Sequence, residues 1–162
     1  MKYKNNVSRE TLKQYKKIKY DVSRETLDKY FMSLAFKQAQ KALKKNEIPV
    51  GCVIVKNNKV IARAYNKKEK NKKTIDHAEI IAITKANKKI KNWRLENCTM
   101  YVTMEPCMMC CGAIKQSRIK KVVYGCKNET YGFLSEFSKI NSELQYCENC
   151  KKILQNFFKQ IR

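Results

Sequence analysis

The chain has 162 residues, enough for one domain with a substantial core and too few for two of ordinary size. Apolar residues make up 43 %, which argues against compositional disorder, and no stretch is long and apolar enough to cross a bilayer. Lys and Arg outnumber Asp and Glu by 36 to 14; the resulting +22 draws polyanions to the surface and makes their binding salt-dependent, although AT-rich codons alone also enrich Lys and Asn.

Residues 1–27 read as a basic extension without the apolar run of a signal peptide. Val7-Ser8-Arg9-Glu10-Thr11-Leu12 recurs letter for letter as Val22-Ser23-Arg24-Glu25-Thr26-Leu27, and Ser8 or Ser23 suits a helix N-cap. The genetic code also allows this peptide to be written within TGTTTCACGTGAAACA. That inverted palindrome resembles the centromere-like sites bound by bacterial chromosome-partitioning proteins. The repeat then belongs to the gene, and it is assigned no catalytic role.

From Asp28 the pattern is regular. Phe31, Leu34, Ala35, Gln38, Ala39 and Ala42 fall at helical spacing over 28–45. Val50–Val55 is apolar and β-branched, Lys59–Tyr65 alternates, and Lys56-Asn57-Asn58 between them predicts a hairpin over 49–65. Helical spacing returns over 77–90 through Ala78, Ile81, Ala82 and Ala86. A strand over Cys98–Met104, a helix over 107–117 and a strand over Lys121–Tyr124 follow. Beyond the Gly125–Gly132 loop the sequence predicts a short helix, a strand near Leu144–Tyr146 and a terminal helix over about 148–161. Strands separated by helices indicate an α/β layered domain over 28–162, with a mainly parallel or mixed sheet.

Two segments carry the chemistry: Asp76-His77-Ala78-Glu79 and Glu105-Pro106-Cys107-Met108-Met109-Cys110. A catalytic zinc site takes three nitrogen or thiolate donors and keeps one position open, and His77, Cys107 and Cys110 supply that set. Both segments are expected at helix N-termini, where the positive end of the macrodipole favours thiolates, and Pro106 is placed to start its helix. Cys107 and Cys110, three apart, share one face of a first turn. Glu79, two residues beyond the histidine, is the carboxylate placed to shuttle protons, work worth ~10²–10⁴ in rate. A lone Cys-x-x-Cys also occurs in redox motifs and structural zinc sites. Paired with His-x-Glu and a preceding proline it is the signature of zinc nucleobase deaminases. His77 is moreover the only histidine of the chain.

Eight cysteines stand at 52, 98, 107, 110, 111, 126, 147 and 150. In a chain without a signal peptide they read as metal ligands and buried thiols, and the expected address is the cytoplasm. Cys52, Cys98, Cys111 and Cys126 lie in apolar segments and read as small core residues. Cys147 and Cys150 lack a histidine or another Cys pair with which to hold a second metal.

From Asp28 onward the sequence resembles the bacterial tRNA adenosine deaminases. The segments that carry the resemblance are Glu47-Ile48-Pro49-Val50-Gly51, Ala64-Tyr65-Asn66, His77-Ala78-Glu79, Tyr101 through Cys110, Ser117-Arg118-Ile119 and Val122-Val123-Tyr124-Gly125. The resemblance implies a three-layer α/β/α fold on a mixed, mostly parallel five-stranded sheet. It also implies a homodimer with one zinc per subunit and no other protein partner. The implied substrate is the wobble adenosine of a tRNA anticodon stem-loop, with the arginine tRNA of anticodon ACG as the usual case. Asn66 corresponds to the side chain that hydrogen-bonds the flipped base; Val50, Ala78 and Pro106 line the pocket; Phe158 and Arg162 contact the RNA. Asn128 departs from the family pattern, in which an Asp is usual, and removes a negative charge beside the nucleic acid backbone.

Two other readings keep the same motifs. A deaminase of a free base or nucleoside, such as guanine or cytosine, shares the zinc site, whereas the charge, Asn66, Ser117-Arg118-Ile119 and the C-terminal Phe157-Phe158 favour RNA. A non-catalytic tRNA-binding subunit lacks the proton-shuttling glutamate, which is present here as Glu79.

Overall fold

The computed structural model describes residues 23–136 and 139–160; Ser8, with the first copy of the repeat, and Arg162 lie outside that range. Helix α1 (Arg24–Leu43) opens on Ser23, whose Oγ accepts the Thr26 N–H at 3.2 Å, so the second copy of the repeat does supply an N-cap. The helix thus begins ahead of Asp28, and Leu27 packs on the core.

Strands β1 (Gly51–Lys56) and β2 (Lys59–Tyr65) form the expected hairpin. Asn57 and Asn58 take φ of 50° and 56°, the left-handed pair that a two-residue hairpin turn requires and that Asn tolerates. Next come α2 (Lys68–Asn71), which the sequence does not predict, α3 (Ala78–Ile90), β3 (Cys98–Val102), α4 (Met108–Gln116) and β4 (Lys121–Tyr124). The chain closes with β5 (Ser142–Leu144) and α5 (Glu148–Gln160).

Two expectations shift. Strand β5 lies at Ser142–Leu144 rather than around Leu144–Tyr146, because it is an exposed edge placed by its pairing to Val122–Tyr124 and not by an apolar pattern. Residues 134–136 form a turn and not the start of a short helix. Amides of this stretch are taken across the chain: Phe133 N–H donates to the Pro106 carbonyl at 3.1 Å and Leu134 N–H to Glu105 Oε1 at 3.3 Å.

The sheet order is β2-β1-β3-β4-β5. β1 runs antiparallel to both neighbours, and β3, β4 and β5 are parallel, so four of the five strands point one way. Gly51 lies against α1, while the next residue, Cys52, feels the charge of Glu79 on α3. Successive strand residues face opposite sides. Helices α1 and α3 therefore cover opposite faces, with α5 packed beside α1 and α4 beside α3. The result is a three-layer α/β/α sandwich, and β1, an interior strand, is buried in all but its last residue. No helix among the described residues is long and apolar enough to cross a membrane.

Helix α1 seats closely on the sheet at Gly51. A Cβ there would lie 2.2 Å from the Ala35 carbonyl oxygen and 2.3 Å from the Ala39 nitrogen, both backbone atoms of α1. Because backbone cannot yield as a side-chain end can, Gly51→Ala should destabilise the domain by about 3 kcal/mol or more. Urea unfolding of the wild type and the variant measures this directly.

Candidate active site

His77 and Cys107 occupy equivalent places in the fold. Each is the N-cap of its helix, α3 or α4, with extended backbone (φ −74°, ψ 153° and φ −75°, ψ 172°) and no side-chain capping bond. Their side chains are thus spared for another partner. Pro106 stands one residue before that cap rather than inside the first turn. It keeps Glu105 extended, and its carbonyl is free to accept from Phe133.

The three sequence-predicted ligands converge. Cys107 Sγ and Cys110 Sγ lie 3.7 and 3.6 Å from His77 Nδ1, and this is the one His/Cys/acid cluster of metal-binding geometry among the described residues. Zinc bonds of about 2.3 Å to sulfur and 2.0–2.1 Å to nitrogen, set tetrahedrally, separate sulfur from nitrogen by about 3.6 Å. The donors already stand at the spacing that zinc requires. Cys107 is drawn down to about 4, first by the hydrogen bond from Cys110 and then by His77, so one thiolate is present at neutral pH.

Glu79 completes the site from the first turn of α3. It is 4 % exposed, and its Oε2 is a buried side-chain oxygen without a hydrogen-bond partner. Burial is the main cause that raises its pKa, followed by opposing effects of its own backbone N–H and of His77. A buried carboxylate oxygen without a donor is costly unless another group meets it. Its position beside the ligand set fits a metal and the solvent that a metal carries.

A ladder of hydrogen bonds joins the expected pocket residues. Asn66 N–H donates to the Val50 carbonyl at 3.2 Å, and Asn66 Oδ1 accepts the Ala78 N–H at 2.8 Å. Val50, Asn66 and Ala78 are thereby fixed beside His77, all buried. One lone pair of Oδ1 is thus committed to α3, and no hydrogen bond from Nδ2 is seen among the described residues.

Other residues of the site were not legible from the motifs. Glu47 is buried, and its carboxylate accepts the Lys70 and Glu69 N–H groups at 2.8 and 3.1 Å, holding α2 next to Asn66. Glu105 accepts from the Asn128 and Leu134 N–H groups, both at 3.3 Å, and so clamps the 127–134 loop to the segment that carries Cys107. Cys107 and Gly132 form an isolated bridge in the same place. Asn128 Oδ1 accepts the Tyr131 N–H at 3.0 Å and caps the loop's own turn. Ile75, Met108 and Tyr131, near the ligand segments or within this loop in sequence, are exposed apolar residues.

Two further candidates stand at the ends of α5 and α4. Phe158 is exposed in the last turn of α5, edge-on to Phe157 at 5.5 Å. Arg118 sits beyond the C-terminus of α4, about 13 Å of helix rise from Cys107. There it pairs with Glu96 at 3.2 Å and lies over the Trp93 ring. A cavity of about 610 Å³ opens between Asn97, Lys121 and Asn141, at the strand ends away from the ligands.

A family model described as MafB19-like deaminase matches residues 26–162. The tRNA-specific adenosine deaminase of Streptococcus pyogenes serotype M1 is 42 % identical over 144 residues, covering 82 % of this chain and 84 % of its own. A structure solved in a study of A-to-I editing by tRNA:A34 deaminases at the wobble position superposes with TM-score 0.75 at 32 % identity, covering 78 % of this chain and 99 % of its own. The guanine deaminase of Bacillus subtilis superposes with TM-score 0.60 at 28 % identity over 86 % of this chain and 94 % of its own.

Removing one of three protein ligands leaves too few donors for a tight site. His77→Ala should weaken zinc binding by more than about 100-fold, the upper end of losses seen when only an outer-shell partner is removed. Competition with a chromophoric chelator reads the change.

Proposed function

This chain belongs to the family of tRNA-specific adenosine deaminases, and on that premise we propose that it converts adenosine to inosine at the wobble position of a tRNA anticodon. The arginine tRNA of anticodon ACG is the expected substrate. The observation that carries this reading is Glu79 Oε2, buried and unpartnered beside three donors at zinc spacing.

When bound by His77, Cys107 and Cys110, one zinc per subunit supplies Lewis acidity that brings the pKa of a coordinated water toward about 7. Glu79 would accept the proton of the attacking water as its oxygen bonds to C6. The same carboxyl passes the proton to the ring nitrogen and then carries one to the departing amine. Adenosine and water become inosine and ammonia. The raised pKa of Glu79 suits a group that must hold a proton between these transfers.

Asn66 donates through Nδ2 to the flipped base, and Val50, Ala78 and Pro106 form the wall around it. An anticodon loop already presents unstacked bases, so extrusion costs little there. Asn128, on the loop clamped by Glu105, faces the nucleic acid backbone as a neutral amide. Phe158 and Arg162 extend the RNA surface from the C-terminal helix. The exposed apolar residues Ile75, Met108 and Tyr131 support a homodimer. The protein acts in the cytoplasm, and residues 1–27 take no part in the reaction.

Glu79→Gln keeps the volume and loses the proton shuttle. It should retain zinc and lower kcat on tRNA by ~10²–10⁴, read as inosine formed in single-turnover assays. Wild-type turnover in that variant removes Glu79 from the chemistry. Incubation with the ACG tRNA, and separately with free adenosine, guanine and cytidine, tests the substrate: inosine in the tRNA alone is expected, and ammonia from a free base with the tRNA untouched overturns it.

A further inference from the structure

Cys147-Glu148-Asn149-Cys150 at the start of α5 has no part in the zinc site. The Cys147 carbonyl accepts the Cys150 and Lys151 N–H groups at 2.9 and 3.2 Å, so Cys147 is the residue from which the helix grows. Its sulfur lies within the field of the unsatisfied N–H groups of the first turn. Cys150 Sγ donates to Cys147 Sγ at 2.9 Å. A disulfide needs about 2.05 Å, so closure asks for a shift of about 1 Å and no new backbone path.

The two sulfurs are unlike. Cys147 is half-buried and Cys150 fully buried. Cys147 is drawn down to about 7, first by the hydrogen bond from Cys150 and then by the Cys150 and Asn149 N–H groups. Cys150 is pushed up by that same bond and by burial. An accessible thiolate next to a protected thiol is the arrangement for attack followed by resolution.

Neither a metal nor packing explains the pair. Among the described residues the only metal-binding group is the one around His77, and the neighbouring thiol Cys126 donates to the Thr103 carbonyl at 3.3 Å. A Cβ on Gly125 would lie 3.0 Å from Cys150 Sγ, so packing accounts for a small residue at 150 but not for a second sulfur at 147.

We propose that Cys147 and Cys150 form a reversible dithiol–disulfide pair that exchanges with small-molecule disulfides. The Cys147 thiolate attacks one sulfur of the small disulfide, forms a mixed disulfide and releases one small thiolate. Cys150 then loses its proton to solvent and attacks the Cys147 sulfur, closing the internal bond and releasing the second thiolate. Two protein sulfurs are oxidised and one small disulfide is reduced. In a reducing compartment the dithiol form is regained by the reverse exchange. Because the Cys147 N–H holds the Gly125 carbonyl at 2.8 Å and Cys126 next to it accepts the Glu105 N–H at 2.8 Å, the pair lies directly behind the segment leading to Cys107.

The test uses zinc-loaded full-length protein equilibrated in mixtures of reduced and oxidised glutathione, quenched in acid, alkylated and digested with trypsin. The fragment Ile140–Lys151 contains both cysteines and no other. It should pass from doubly alkylated to an internally bridged form lighter by two hydrogens and inert to alkylation. In Cys150→Ser it should stop as a glutathione adduct on Cys147. Rates of Cys147 alkylation in the wild type should reach half their maximum near pH 7. A wild-type fragment that stays doubly alkylated in oxidised glutathione alone, that accumulates an unresolved glutathione adduct, or that links Cys147 to Cys126 overturns the proposal.

Discussion

Two helix N-termini held side by side are the constraint from which the rest of this molecule follows. His77 and Cys107 are both N-caps whose side chains decline the usual capping bond, and the packing of α3 on α4 brings them together. The strands behind them are locked at the same level, since Gly51 N–H donates to Thr103 Oγ1 and Thr103 N–H to the Gly51 carbonyl, both at 3.0 Å. The close seating of α1 on Gly51 secures the far side of that junction. A donor set within 4.8 Å, assembled from residues thirty positions apart, tolerates little play between these layers.

The same arrangement sets the electrostatics of Glu79 by competition. Its place in the first turn of α3 favours the anion by about 0.3–1 kcal/mol, up to about 2 when partly buried. Removing a carboxylate from water costs several kcal/mol. Burial wins, and the pKa rises. A carboxylate that is costly to keep charged and has an oxygen without a donor is suited to moving a proton. The surrounding hydrogen bonds are spent on rigidity instead: Asn66 on Ala78, Glu47 on α2, Glu105 on the 127–134 loop. These polar groups are buried or half-buried acceptors of backbone N–H bonds, so they fix the walls of the pocket at little conformational cost.

The charge of +22 acts at longer range. Lysines crowd the segment between Asn66 and His77, which Glu47 fastens through α2. A polyanion arriving there releases counterions, and its affinity falls with salt. That field concentrates nucleic acid without reading it. Selection of one base calls for short-range contacts that a diffuse field of charge does not supply.

Much of this was legible along the chain because it depends on neighbours in sequence. Helical and alternating periodicities placed α1, the hairpin, α3, β3, α4, β4 and α5 to within a few residues, and Ser23 announced its cap. His77, Glu79, Cys107 and Cys110 were readable because a helix turn fixes what residues two and three apart can share. Edge strand β5 and the turns after Gly132 were not, since exposed or cross-bonded backbone leaves no apolar pattern. Nor could periodicity reveal that Asn66 spends its carbonyl on Ala78, that Glu105 holds the 127–134 loop, or that Arg118 belongs to the opposite end of α4. The sequence by itself determined which donor-type residues share a helix turn and the alternation of strands and helices, for local spacing decides both. Which polar group faces which partner was decided by tertiary structure alone, because those bonds join segments that only the folded sheet brings within 3 Å or so of one another.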